Sequence, residues 1–260
     1  MFGLVRSWKR KRLAKRPFPE EWMAYVTKHA AFYEFLSEAA RQRFLRKLKV
    51  FAWEKHFIAA GGMEITDEVK VVISAAAVRL VLNLGLSYYD RLTEIVVYPG
   101  HYRHPDDDGD FVVFGEAHHW GTVVLSYEAV LHGLANHSDG HDTATHEFAH
   151  VLDRAGGAFD GTPLLHALQD YRPWASVMSH HFERLQEGNR PERRVMRSYG
   201  ATNEAEFFAV ATESFFEKPI RMHRETPELY ETLKQFYRCD PLERRRQASG
   251  RRSGKGTEPA

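Results

Sequence analysis

Residues 142–153 read DTATHEFAHVLD. Asp142 or Thr143 can cap a helix that runs through Leu152. On that helix His146 and His150 stand at i and i+4, so both imidazoles leave one face about one turn apart. Two neutral imidazoles held this way can take two corners of a zinc tetrahedron at ~2.0–2.1 Å. Glu147 is then aimed beside the ion, where it can take a proton from a zinc-polarised water. An H-E-x-x-H pattern arises by chance about 0.08 times in a chain of this composition, so its neighbours must support it. Phe148, Ala149, Val151 and Leu152 do, being helix-compatible and apolar. Asp153, three residues after His150, can accept the second N–H of an imidazole or bond local backbone instead.

A catalytic zinc needs a third protein ligand and an open position. No third histidine follows at the metzincin spacing, and His166 is several residues off. A carboxylate within 199–216, YGATNEAEFFAVATESFF, fits better. This reads as a helix with Phe207, Phe208, Val210, Ala211, Phe215 and Phe216 as its core. A glutamate in so apolar a stretch is costly to bury unless paired or bound to metal. Glu204 reads as a first-turn acid behind Asn203, favoured by the helix dipole. Glu206 lies deeper and is the preferred third ligand. Glu213, seven residues on, shares its face and is placed to support the ligands.

The rest of the chain narrows the class. Its 260 residues carry 43% hydrophobic and 13% aromatic side chains, enough to bury a core. Lys+Arg number 36 against 35 Asp+Glu, so no global charge excess points to nucleic acid or membrane. The single cysteine, Cys239, excludes a disulfide framework and a cysteine-built zinc finger, and suits a reducing cytoplasm. The most apolar stretch, 69–86, is broken by Lys70, Ser74, Arg79 and Asn83, so no membrane span is expected. The basic start, MFGLVRSWKRKRLAKR, lacks the apolar run of a secretory signal. Segment 1–16, with seven Lys/Arg, and segment 241–260, with six, are expected to be mobile. Between them, 17–240 is expected to be a single domain, helical over 17–90, with the sheet and active-site helices over 91–240.

Within that domain, apolar spacing predicts a helical run from Trp22 to Phe57, stopped by Gly61-Gly62. Thr66-Asp67 caps a helix over 69–83. Strands are expected at Ile95–Tyr98, Phe111–Phe114 and Thr122–Tyr127, and helices from Asp142 to about Cys239. The acidic turn Asp106–Asp110 lacks calcium-loop spacing. Surface positions are expected for His101, His104, His118-His119 and His180-His181. Trp22 and Trp53 read as helix-packing anchors.

HEFAHVLD, YGATNEAEFFAVATESFF, FAWEKHFIAAGGMEITDEVKVVISAAAVRLVLNLGL and YYDRLTEIVVYPG together resemble the Mlc titration factor A family of zinc peptidases, over about residues 17–238. The resemblance implies an α+β, mostly helical, zincin-like fold of the gluzincin type, with a lethal-factor-like catalytic domain and a small mixed sheet. It implies one Zn2+ held by His146, His150 and Glu206, with Glu147 as general base. It also implies that Tyr199, seven residues before the ligand glutamate, faces the developing oxyanion; that spacing selects Glu206 over Glu204. Aminopeptidase activity on a peptide substrate follows from the resemblance, as does a transcriptional repressor similar to Mlc as partner in sugar-uptake control. In gluzincin-like folds an edge strand pairs with extended substrate, and Thr122–Tyr127 either plays that part or is a core strand with no substrate role. The competing reading is a regulatory module that sequesters a repressor, with incidental peptidase activity.

Overall fold

The computed structural model describes residues 2–100, 115–117, 121–136 and 139–246. Helix α1 (Phe2–Lys15) replaces the mobile start expected from the sequence. Its Arg10 forms a bidentate pair with Glu54 (2.6 and 2.7 Å), Arg6 and Arg10 both reach Asp90, and Leu13 is buried. These partners lie 44 and 84 residues away, beyond any local pattern.

Helix α2 (Glu20–His29) and a 3₁₀ turn at Ala31–Phe35 lead to α3 (Glu38–Glu54), capped by Ser37. The single run expected over 22–57 is therefore divided, and its last residues form strand β1 (His56–Ala59). The switch occurs at Lys55, whose backbone is extended and whose buried ammonium donates to the carbonyls of Tyr89 and Leu92. Trp22 and Trp53 pack as anchors, ring centroids 5.4 Å apart.

Helix α4 (Asp67–Leu80) begins where Thr66 accepts from the Val69 N–H, and nearly every side chain after its first turn is buried. A helix apolar on all sides belongs at the centre, and α4 touches α2, α3 and the later helices α5 and α6.

Strands β2 (Glu94–Tyr98), β3 (Gly115–Ala117) and β4 (Thr122–Ser126) complete a sheet of order β1-β2-β4-β3. The first three in that order are parallel, and β3 runs antiparallel to β4. Ile95 pairs with Val123 and Val97 with Leu125, all four buried. Strand β4 is thus bonded on both sides, a core strand with no edge to offer a substrate, which is the second of the two readings of 122–127. Ser126 ends β4 and caps α5 (Tyr127–Ala135), a helix that the sequence reading did not separate from the strand and loop around it.

Helix α6 (Thr143–Arg154) carries the H-E-x-x-H motif. After it come α7 (Tyr171–Gln186), α8 (Arg190–Val195), α9 (Glu204–Glu217), α10 (Pro219–Glu225) and α11 (Pro227–Tyr237). Phe51, Tyr89 and Phe148 meet edge to face at 5.2–6.1 Å and fix α6 onto α3. Trp174, Phe208 and Phe236 tie α7, α9 and α11 together. Residues 241–246, assigned to a disordered tail, are helical with Leu242 buried. The result is the mostly helical α+β, zincin-like architecture with a small mixed sheet. Among the described residues, no helix is long and apolar enough to cross a membrane. Residues 101–114, 118–120, 137–138 and 247–260 lie outside the described residues, and with them His101, His104, His118, His119, the 106–110 turn, the Phe111–Phe114 strand and most of the basic tail.

Candidate metal centre

Two capped helix starts aim the site. Asp142 accepts from the Thr145 N–H (2.9 Å) and hydroxyl (2.7 Å), setting the first turn of α6. Asn203 accepts from the Glu206 N–H (2.9 Å), setting the first turn of α9. Helices α6 and α9 pack against each other, and Glu206 reaches the face of α6 that bears both imidazoles.

His146 Nε2 lies 3.1 Å from His150 Nε2 and 2.9 Å from Glu206 Oε2, and His150 Nε2 lies 3.4 Å from the same oxygen. A four-coordinate ion at ~2.0–2.1 Å from each ligand requires ligand separations of about 3.3 Å. The triangle has the size of one face of that tetrahedron. Among the described residues, Glu206 Oε2 and His150 Nδ1 are buried without a hydrogen-bond partner, a cost unless another group satisfies them. The facing ring nitrogens, 3.1 Å apart, suit either one proton shared between them or one cation that takes a lone pair from each, and the cation would take a lone pair of Glu206 Oε2 as well. His146, His150 and Glu206 therefore fit a metal ion and could hold one. Glu204 is exposed and does not join them.

Glu213 is the hub beneath this triangle. Its Oε1 accepts from His146 Nδ1 (2.7 Å) and Arg197 Nη2 (2.5 Å), and its Oε2 accepts from the Asp142 N–H (3.0 Å). A proton held on Nδ1 leaves the Nε2 lone pair for a metal. Burial pushes His146 down, but Glu206 and Glu213 outweigh it and hold the imidazole up at about 10. Burial likewise pushes Glu206 up, yet the two imidazoles hold its carboxyl well below the usual range. His150, dominated by burial, is lowered.

Glu147 is buried on α6, near enough for its charge to act on both His146 and Tyr199. Tyr199 stands in a 3₁₀ turn (Ser198–Ala201), half-exposed, its ring 5.9 Å from that of His146. Burial, then the charges of Glu206 and Glu147, push its phenol up to about 12, so it stays a proton donor at neutral pH.

Asp153 resolves toward local backbone. Its Oδ2 accepts from the Gly161 N–H (3.0 Å), and it makes no hydrogen bond to His150. Gly161 has φ +76, and a Cβ there would stand 2.4 Å from the Glu204 carbonyl oxygen, so this loop can lie against the start of α9 only with glycine. His181, expected at the surface, is buried and bonded to Glu192 (2.9 Å).

Three features escaped the sequence reading. Arg197 grips Glu213, and no spacing rule marks it. Phe159 covers His150 with rings 5.2 Å apart, and Arg154 lies 4.2 Å over its outer side. Arg79, buried on α4, pairs with Asp142 (3.1 Å) and donates to the Phe216 carbonyl; a lone arginine inside the apolar 69–86 stretch was its only signal.

The family described as glucose-regulated metallo-peptidase M90 matches residues 5–238. The chain belongs to this metallopeptidase family. Relatives of the M90 chain include the uncharacterized protein slr2042 of Synechocystis sp., 38% identical over an alignment of 251 positions that covers 91% of this chain and 90% of that one. Mlc titration factor A of Yersinia pestis and of Yersinia pseudotuberculosis are each 28% identical over an alignment of 222 positions that covers 80% of this chain and 81% of theirs. The family resemblance drawn from the motifs therefore holds. Membership of a metallopeptidase family implies a metal ion, and the α6–α9 triangle is a group able to bind it.

Proposed function

We propose that this M90 chain is a zinc-dependent, aminopeptidase-like peptidase of the gluzincin type, acting in the cytoplasm. His146, His150 and Glu206 hold one zinc ion. The observation that carries the reading is the convergence of two Nε2 atoms and one buried carboxylate oxygen at 2.9–3.4 Å. Bound zinc supplies Lewis acidity toward a water and the scissile carbonyl. The Glu147 carboxylate accepts the proton of the attacking water and delivers it to the leaving amine. Tyr199, kept protonated, donates a hydrogen bond to the carbonyl oxygen as it gains charge. Glu213, braced by Arg197, holds the His146 ring in one tautomer. Among the described residues the sheet ends at β3, so β3 rather than β4 is the strand to pair with extended peptide.

Metal analysis with peptide turnover tests this. The protein should bind near-stoichiometric zinc, His146→Ala should lose it, and Glu147→Gln should keep zinc while turnover falls ~10²-fold or more. A folded protein that takes up no zinc overturns the reading.

A second reading draws on the relatives' name, Mlc titration factor A. In it the same fold sequesters a transcriptional repressor similar to Mlc, linking it to sugar uptake. Repressor binding that survives Glu147→Gln would separate the two roles.

A further inference from the structure

Helix α1 has two unlike faces. Arg6, Arg10 and Leu13 turn inward to Asp90, Glu54 and the core, so the helix is pinned to the body of the protein. The opposite face covers an arc of about 160° on a helical projection. Along it Leu4, Val5 and Trp8 are 80, 62 and 64% exposed. Lys9, Lys11, Arg12 and Lys15 stand among them, also exposed, and the Arg12 guanidinium lies 5.9 Å from the Trp8 ring. The helix carries no acidic residue.

We propose that this outer face of α1 seats on an anionic phospholipid bilayer surface. Leu4, Val5 and Trp8, all on the first two turns, enter the boundary between headgroups and acyl chains, and the four cations meet the headgroup anions. The near-zero charge of the whole chain conceals this concentration of positive charge on one element. The apolar residues choose between occupants. Nucleic acid would use the cations but leave Leu4 and Val5 in water, whereas a lipid interface takes both and suits the amphipathic indole. The inward ion pairs hold this face outward, so seating requires no release of the helix.

Cosedimentation of the full chain with vesicles tests the proposal. Vesicles of phosphatidylcholine with about 30% phosphatidylserine should pellet the protein at ~0.1 M salt, and plain phosphatidylcholine should not. Binding should fall several-fold at about 0.5 M salt as the charges are screened. K9E/K11E/K15E and, separately, L4S/W8S should each weaken binding about tenfold or more with the thermal midpoint unchanged. Three results overturn it: no binding to the anionic vesicles; variants that bind like the parent, which would move the contact to another basic segment; or tighter binding to duplex DNA than to vesicles.

Discussion

Glu206 and Tyr199 make separable demands. Glu206→Gln should weaken zinc binding, because a neutral amide oxygen is a poorer ligand than a carboxylate, whereas Glu204→Gln should change little. Zinc titration of the two variants against a competing chelator gives the answer, and the opposite order would move the ligand to the exposed end of α9. Tyr199→Phe should retain zinc and stability while kcat falls by about 10²–10³, with KM little changed, since the phenol acts on charge that develops only in the transition state. Steady-state kinetics and zinc content on the same samples separate this from a packing role, in which Phe would serve as well. The grouping of His146, His150 and Glu206 was legible because the i, i+4 period alone brings two imidazoles to one face, and an acid amid phenylalanines is conspicuous. Arg197 and Phe159 were not. Each acts through a partner 16 and nine positions distant across a turn, and an arginine or a phenylalanine outside a periodic segment carries no positional message.

At the scale of elements, the caps were readable and the breaks were not. Thr66, Asp142 and Asn203 start the helices they were expected to start, since a side-chain acceptor three residues before a free N–H is a local matter. Strand β1 was absorbed into the preceding helix because four residues, of which only Phe57 and Ile58 are half-buried, are too few to distinguish a period of 2 from one of 3.6. Helix α5 was missed because Ser126 both ends a strand and caps a helix. That β4 is central, with β3 at the edge, depends on pairings between distant segments. The α6–α9 seam yields two predictions. Glu213→Gln should loosen zinc binding about 10–100-fold, since an amide cannot serve His146, Arg197 and the Asp142 N–H as the carboxylate does. Asp142→Ala should unfold at lower temperature, with a loss of about 3–5 kcal/mol, because Arg79 is left buried and uncompensated while α6 loses its cap. Thermal and urea unfolding of the chelator-treated proteins would show whether that loss is independent of metal.

For the molecule as a whole, Glu217 sets a pH dependence. At the C-terminal end of α9 it is buried, and neither carboxylate oxygen has a hydrogen-bond partner among the described residues. Burial, with Asp142, Glu213 and Asp139 adding to it against Arg79, pushes it up to about 8 from an ordinary 4.5. Between those values the folded chain retains a proton that the unfolded chain has released, so this group favours folding less and less as pH rises through the window. Glu217→Gln should match the parent near pH 5 and exceed it by about 2–4 kcal/mol at pH 8 in urea unfolding. A difference that does not grow with pH would refute the assignment. The lower clip of the seam has a consequence for metal traffic. Glu213 joins α6 to α9 through His146, Arg197 and the Asp142 N–H, none of which needs an ion to bind the carboxylate. A chain stripped by a chelator thus keeps its two helices in register and its imidazole aimed. Reloading is then a matter of diffusion and dehydration of the ion, a shuttle between two folded forms with no refolding step between them.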